Sequence, residues 1–383
     1  MYKISIILPV YNVENYLKRC FDSLLSQTIG FSNLQVIFVD DSSTDNSREI
    51  IDRYSETYEN VISLHLSKNS GFAGKPRNEG MKFAFADYLL FLDPDDYLLD
   101  NACDILYRKI IESDADIVVG GYKKEDWTAI WHSLIDAKET LIENPKNNLS
   151  IYFNPPGLAS KLFKKELLLD NNIRFPEKLP AQDLVFLTET YLNSKSVLSL
   201  NEIIIFEYCV RTDSENQSVT QKTSKKYLYE LLTAYNLVFE LFEKFNVNDT
   251  LRKIYFTKNH FNFFRVQLKN AKLNEKDLEE LFHSKLFLKF RNQKFIKDDE
   301  KLDLFFIKLI DNPQNVKGKT LQEICRKTKS EYLSTTTNIN EIEYVPAKNK
   351  IKYQSPIEEI EKELYYFIKK NAQLYNLIED SKK

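Results

Sequence analysis

The sequence predicts an α/β fold: a Rossmann-like parallel sheet in the front half and a largely α-helical C-terminal region behind it. Three observations carry this. Four apolar runs, Ile4–Leu8, Leu34–Val39, Val61–Leu66 and Tyr88–Leu92, read as strands; Leu34–Val39 reads as buried, and Tyr88–Leu92, which has no polar alternation, as buried on both faces. Amphipathic stretches separate them over short connections, which implies right-handed strand-helix-strand units. Seven of the eight glycines lie before position 158, so tight-turn chemistry is confined to the front.

Ile4–Leu8 is the first strand, and Pro9-Val10-Tyr11-Asn12 is expected to end it. In Asn15–Gln27 the residues Leu17, Phe21, Leu24 and Leu25 share one helical face. The second strand, Leu34–Val39, closes in Asp40-Asp41-Ser42-Ser43-Thr44-Asp45, and Asp45 is placed to cap a helix over Ser47–Glu56. Val61–Leu66 is the third strand. Pro76 suits the first turn of a helix running to Phe85. Tyr88–Leu92 is the fourth strand, stopped by Pro94.

Asp93, Asp95 and Asp96 follow that strand. Asp93 and Asp95 stand two apart, so in extended backbone they point the same way. Open parallel sheets bind ligands beyond the carboxyl ends of their strands. Carboxylates converging there repel one another, and a hard divalent cation, Mg2+ or Mn2+, relieves the conflict with oxygen ligands. An isolated acidic pair of this spacing is most often a solvated turn; the position after a buried strand favours the metal. Gly71-Phe72-Ala73-Gly74 is no dinucleotide fingerprint, since it lacks the third glycine and does not follow the first strand.

Farther on, Pro155-Pro156-Gly157 is a turn, and Ala159–Phe163 leads into a helix over Lys164–Asp170. Trp127 and Trp131 are four apart and read as a core or lid contact, with a sugar-stacking face as the alternative. Ser224 caps an amphipathic helix whose apolar face holds Leu228, Leu231, Tyr235, Phe242 and Phe245. Residues 251–297 carry 12 Lys+Arg against four acids among several phenylalanines. That is either a helical core with a solvated basic face or a surface for an anionic polymer. No nucleic-acid partner is expected. Ile357, Ile360, Leu364, Phe367, Asn371, Leu374 and Ile378 follow a heptad seam with one polar member, as in a coiled coil that joins two or three chains. A helix docked on its own domain is the other reading.

The length of 383 residues implies more than one domain. The expected divisions are 1–222, a catalytic domain; 223–350, a basic helical domain; and 351–383, a helical tail. With 43% hydrophobic and 13% aromatic residues the chain can bury a sizeable core. Cys20, Cys103, Cys209 and Cys325 are widely spaced, as suits free thiols in a reducing compartment. The apolar run at the N-terminus is too short for a signal segment, and no run approaches a membrane span. A cytoplasmic location follows as an expectation, with peripheral contact at the inner face of the membrane. The net charge of −3 hides an asymmetry: residues 1–223 hold 23 Lys+Arg against 33 Asp+Glu, and residues 224–383 hold 30 against 23. The back is the half that attracts an anion.

The segments SIILPVYN, VIFVDDSSTD, NSGFAGKPRNEG, YLLFLDPDD, PAQDLVF and, more loosely, FEYCVRTDSENQSVT occur in the order and spacing of a known family. The chain resembles glycosyltransferase family 2, with the GT-A fold, over about its first 220 residues. Within that family it is most similar to the wall teichoic acid glycosyltransferases, cytoplasmic enzymes that put N-acetylglucosamine on polyribitol phosphate. The resemblance implies an inverting, metal-dependent transfer from a UDP-sugar, with residues 121–222 as the acceptor half. It places Pro9 and Tyr11 along the base and Asp41 on the imide N–H of uracil. Asn69 and Arg77 go to the diphosphate, Asp93 lies near the ribose and metal, and Asp95 binds the metal. It makes Asp183 the base that takes the acceptor's proton. Where the family holds an acidic pair, this chain has Gln182-Asp183, which keeps the base and loses one carboxylate. Tyr208, Arg211, Ser218 and Thr220 match a looser pattern, and Arg211 would close a loop over the diphosphate.

Blander roles stand beside these: Asp41 and Asp183 as helix caps, Arg77 as a surface ion pair. Capsular or exopolysaccharide synthesis with a UDP-hexose is the alternative within the class. A non-catalytic carbohydrate-binding protein is the alternative outside it. A sugar-phosphate nucleotidyltransferase would need a Gly-rich loop after the first strand, and PVYN is not one.

Overall fold

Strand and helix alternate as the apolar runs predict: β1 (Ile4–Val10), α1 (Glu14–Leu25), β2 (Leu34–Asp40), α2 (Ser47–Thr57), β3 (Val61–His65), α3 (Gly74–Lys82), β4 (Tyr88–Phe91). The computed structural model describes residues 2–124, 127–129, 139–148, 151, 157–209, 223–248, 252, 262–271 and 273–291. After β4 come β5 (Tyr97–Leu98), α4 (Ala102–Ser113), β6 (Ile117–Lys124), β7 (Trp127–Ala129) and β8 (Glu139–Glu143). Then follow β9 (Lys161–Lys164), α5 (Lys165–Asp170), α6 (Gln182–Asn193), β10 (Ser196–Glu207) and α7 (Lys225–Lys244).

These strands form one sheet in the order β3-β2-β1-β4-β9-β6-β10-β5, with β7 on β6 and β8 on β10. β1 pairs in parallel with β2 and β4, and β2 with β3. The chain winds outward from β1 to β3, then crosses back to place β4 on the other side of β1. That reversal opens a crevice at the carboxyl ends of β1 and β4, where open α/β sheets take their ligands. Every residue of β1 and β2 is buried, because helices cover both faces. Phe21 of α1 stacks on Tyr54 of α2 with ring centroids 3.9 Å apart and seals one of those faces.

Three boundaries differ from the sequence expectation. Pro9 does not end β1: it lies inside the strand, opposite Val39. β4 stops at Phe91, opposite Ile7, so Pro9 has only β2 as a strand partner and its missing N–H is tolerated. Ala159–Phe163 is not a plain lead-in to a helix. Lys161–Lys164 is β9, antiparallel to both β4 and β6. Helix α3 starts at Gly74, with Pro76 in its first turn as expected, but it ends at Lys82 and not at Phe85. Gly80 lets α3 press on the sheet, since a Cβ there would stand 2.5 Å from Ile7 Cγ2. Ser224 does cap α7, accepting the Tyr227 N–H at 3.2 Å.

The chain divides into two compact units, Met1–Leu251 and Arg252–Lys383. The first therefore includes α7, which packs on α6. In the second, the described helices are α8 (Asn262–Asn270), α9 (Glu275–Phe282) and α10 (Lys285–Arg291). Phe264, Phe282, Phe287 and Phe290 pack together there, with the closest centroids 4.9 Å apart. The heptad seam over 357–378 lies outside the described residues.

Candidate active site

The loops after β1 and β2 are latched to each other. Asn12 takes a positive φ of 49° and donates its N–H to Ser43 Oγ at 3.1 Å, while its Oδ1 accepts the Thr44 N–H at 2.8 Å. Ser47 Oγ accepts the Val13 N–H at 2.9 Å. Asp45 accepts the first N–H groups of both following helices, from Glu14 at 3.1 Å and Ser47 at 3.0 Å. One carboxylate thus satisfies two helix starts. This leaves Tyr11, 44% exposed, on a fixed rim of the crevice.

Asp41 is buried at the end of β2. Its two carboxylate oxygens accept the Ser70 N–H at 2.9 and 3.0 Å, and Oδ2 also accepts the Ser70 hydroxyl at 2.9 Å. Asn69 Nδ2 donates to the Asp41 carbonyl at 3.1 Å. Burial pushes the Asp41 carboxyl above its usual range, and the Ser70 hydrogen bonds oppose the rise. Asp41 does not cap α2; with the Ser70 and Gly71 N–H groups it fixes the loop that leads to α3.

Arg77, on the first turns of α3, is 3% exposed, which excludes the surface ion-pair role. Its Nη2 donates to Asp93 Oδ1 at 2.6 Å, and its guanidinium lies 5.2 Å from the centre of the Phe175 ring. Its buried Nε has no hydrogen-bond partner among the described residues. The cation also acts on Asp183, holding its carboxyl down, while burial pushes that carboxyl up more strongly and Asp93 adds to the rise. Arg77 therefore connects the acid after β4 with the acid that starts α6.

An aromatic cluster fixes these three elements. Phe91 of β4, Phe175 and Phe186 of α6 meet with centroids 3.8 to 5.6 Å apart, and Phe163 of β9 packs on Phe91 and Phe186. Ala181, before Asp183, is held at φ 53°, a strained geometry for a residue with a Cβ. It offers no side-chain cap to α6. Beneath lies Lys161, fully buried, whose Nζ donates to the Gly157 carbonyl. Burial pushes its pKa down to about 7, and Asp183 opposes that fall. Nothing in the sequence pattern singled Lys161 out; a lysine between Leu158-Ala159 and Leu162-Phe163 was the available signal.

The acids after β4 form an oxygen-only set. Asp96 accepts the Cys209 N–H at 2.9 Å, and Asp93 holds Arg77. Burial and the joint field of Asp96, Asp95 and Asp93 push the Tyr208 hydroxyl up to about 12. Among the described residues no three His, Cys, Asp or Glu side chains form a closed metal cage. The set fits a hard divalent cation that takes one or two carboxylates and completes its shell with water and phosphate.

The structure thus gathers Tyr11, Asp41, Asn69, Arg77, Asp93, Asp95 and Asp183 at the carboxyl ends of β1, β2 and β4 and the start of α6; Pro9 is buried within β1. Arg211, Ser218, Thr220 and Trp131 lie outside the described residues, while Trp127 opens β7. Ser70 and Asn78 lie within NSGFAGKPRNEG, and the sequence pattern does not single them out because their partners, a carboxylate and a backbone, are distant in sequence. No helix among the described residues is long and apolar enough to cross a membrane.

Residues 5–163 match the family model described as glycosyl transferase family 2. The chain is 33% identical over 285 residues to a poly(ribitol-phosphate) beta-glucosyltransferase of Bacillus spizizenii, covering 73% of this chain and 43% of that protein. It is 31% identical over 251 residues to the poly(ribitol-phosphate) beta-N-acetylglucosaminyltransferase TarP of Staphylococcus aureus, covering 63% of this chain and 73% of TarP. The chain spans about half the length, or less, of the first of these relatives and of several further ones. In fold it is similar to Staphylococcus aureus TarS residues 1–349 in complex with UDP, with TM-score 0.63 and 22% identity, covering 92% of this chain and 97% of that one.

Proposed function

The chain belongs to glycosyltransferase family 2, and from that premise we propose that it is an inverting enzyme moving N-acetylglucosamine from a UDP-sugar to a hydroxyl of poly(ribitol phosphate). One observation carries the mechanism: at the switch point of the sheet buried Arg77 holds Asp93 at 2.6 Å, and its charge acts on Asp183. Asp41, fixed at the end of β2, reads the uracil imide. Tyr11 covers the base. The start of α3 and the Arg77 guanidinium take the diphosphate, which suits a helix N-terminus joined to a planar cation.

Asp183 accepts the proton of the acceptor hydroxyl as that oxygen attacks the anomeric carbon from the face opposite the diphosphate. A raised carboxyl pKa makes Asp183 a stronger base than an exposed aspartate. Gln182, which carries no charge, takes no part in proton transfer. Asp95, with Asp93 beside it, would hold the divalent cation. What such a cation supplies is neutralisation of charge on the departing diphosphate.

The relatives support a poly(ribitol phosphate) acceptor, and they divide over the sugar, glucose in one and N-acetylglucosamine in the other. The test is a panel of UDP-sugars offered with polyribitol phosphate and Mn2+, with UDP release followed. N-acetylglucosamine transfer is expected; preference for UDP-glucose would correct the sugar, and release without transfer to any anionic polymer would remove the acceptor. Asp95→Asn should fold and lose cation-dependent turnover. Full activity of that variant would overturn the metal assignment.

A further inference from the structure

We propose that Asn78 is a positioning residue that joins the diphosphate-binding helix α3 to the base helix α6, so that the state of the donor site sets the placement of Asp183. The inference rests on the function proposed above. Asn78 is buried and follows Arg77 directly. Its Oδ1 accepts the Phe175 N–H at 2.9 Å and its Nδ2 donates to the Phe175 carbonyl at 2.9 Å. A single side chain thus holds both backbone groups of one residue, as a neighbouring strand would. Nδ2 also lies 3.3 Å from Glu177 Oε1.

Phe175 is the hinge of this connection. Its backbone belongs to Asn78, one face of its ring meets the Arg77 guanidinium, and the ring stacks on Phe186 of α6 at 3.8 Å and 8°. Between Phe175 and Asp183 the chain has little freedom. Pro176 and Pro180 fix their own φ angles, and Lys178 and Ala181 are held at φ 63° and 53°. Gly74 closes the connection from the other side: a Cβ there would stand 2.3 Å from Gln182 Oε1 and 2.4 Å from the Pro176 carbonyl. A rigid segment gripped at both ends passes on displacement instead of absorbing it. A diphosphate drawn to Arg77 therefore fixes α3, and Asn78 hands that position to the segment that presents Asp183. Without Asn78 the Phe175–Phe186 stack still holds the fold, but the backbone can slide beneath it.

The test compares wild type with Asn78→Ala and the near-isosteric Asn78→Asp, which keeps the acceptor for the Phe175 N–H and loses the donor. UDP affinity is measured by calorimetry, turnover by UDP release, and amide hydrogen exchange over 175–190 with and without UDP. Both variants should bind UDP within about threefold of wild type and lose kcat by about 10- to 100-fold, the usual cost of a misplacement near 1 Å. UDP should slow exchange at the first turn of α6 in wild type and not in the variants. If Asn78→Ala does not fold, Asn78→Asp carries the test. A folded variant with wild-type kcat overturns the inference alone. So does a variant whose UDP affinity falls in step with kcat, because Asn78 would then act in the donor site itself. A wild-type protein that binds no UDP removes the proposed function, and the inference with it.

Discussion

Asp183 faces two demands of opposite sign. At the start of α6 its charge gains from the helix and from Arg77, yet burial and Asp93 work against ionisation, and burial prevails. The sign for stability follows: a carboxyl whose folded pKa lies above its unfolded value favours the fold at low pH and opposes it once pH rises through the folded pKa. Asp183→Asn should therefore keep or slightly raise Tm at neutral pH, while kcat falls by ~10²–10⁴, the worth of a positioned base. A residue that only capped a helix would show the reverse, a lower Tm with kcat intact. The same shift sets the acid side of the pH profile of kcat, expected above the usual Asp value of 3.8. An acid limb at or below that value would count against Asp183 as the base.

The elements differ in how plainly the sequence announces them. β1, β2 and β4 are legible because burial on both faces needs continuous apolar runs, and α1 and α2 because one apolar stripe suffices. β9 was not legible. Lys161–Lys164 carries two lysines in four residues, and only pairing with β4 and β6 makes it a strand. Pro76 marks the first turn of α3, but the need for glycine at Gly74 is not visible in the sequence, since it comes from the close approach of Pro176 and Gln182, about a hundred residues away. Gly80 gives this element a test. A Cβ there would meet Ile7 Cγ2 at 2.5 Å and Val39 Cγ2 at 3.3 Å, so Gly80→Ala forces α3 away from β1 and β2. The expected cost is ~1–3 kcal/mol of stability, typical of overpacking. Since α3 carries Arg77, UDP affinity should fall as well. Weaker UDP binding in Gly80→Ala at unchanged Tm would mean that α3 is not seated by this contact.

At the scale of the whole molecule the division of charge is the property that sequence alone reveals. Residues 1–223 hold 23 Lys+Arg against 33 Asp+Glu, so a polyphosphate acceptor approaches a front half that repels it. Residues 224–350 hold 24 Lys+Arg against 17 acids, whereas residues 351–383 hold six of each. The excess of positive charge therefore lies wholly before the heptad segment. This separates two contributions to polymer binding. Deleting residues 351–383 leaves the net attraction of each chain as it was, and removes the segment proposed to join chains. If that segment assembles two or three copies, several basic surfaces hold one polymer, and linked weak contacts raise avidity without new chemistry. The truncated protein should then sediment as a smaller particle, hydrolyse the UDP-sugar as before, and transfer less well to long acceptors than to short ones. Its transfer should also weaken more steeply as salt screens the contacts that remain. Unchanged mass after truncation would refute assembly through this segment. Smaller mass with equal transfer to long and short polymers would show that chains assemble for some purpose other than holding the acceptor.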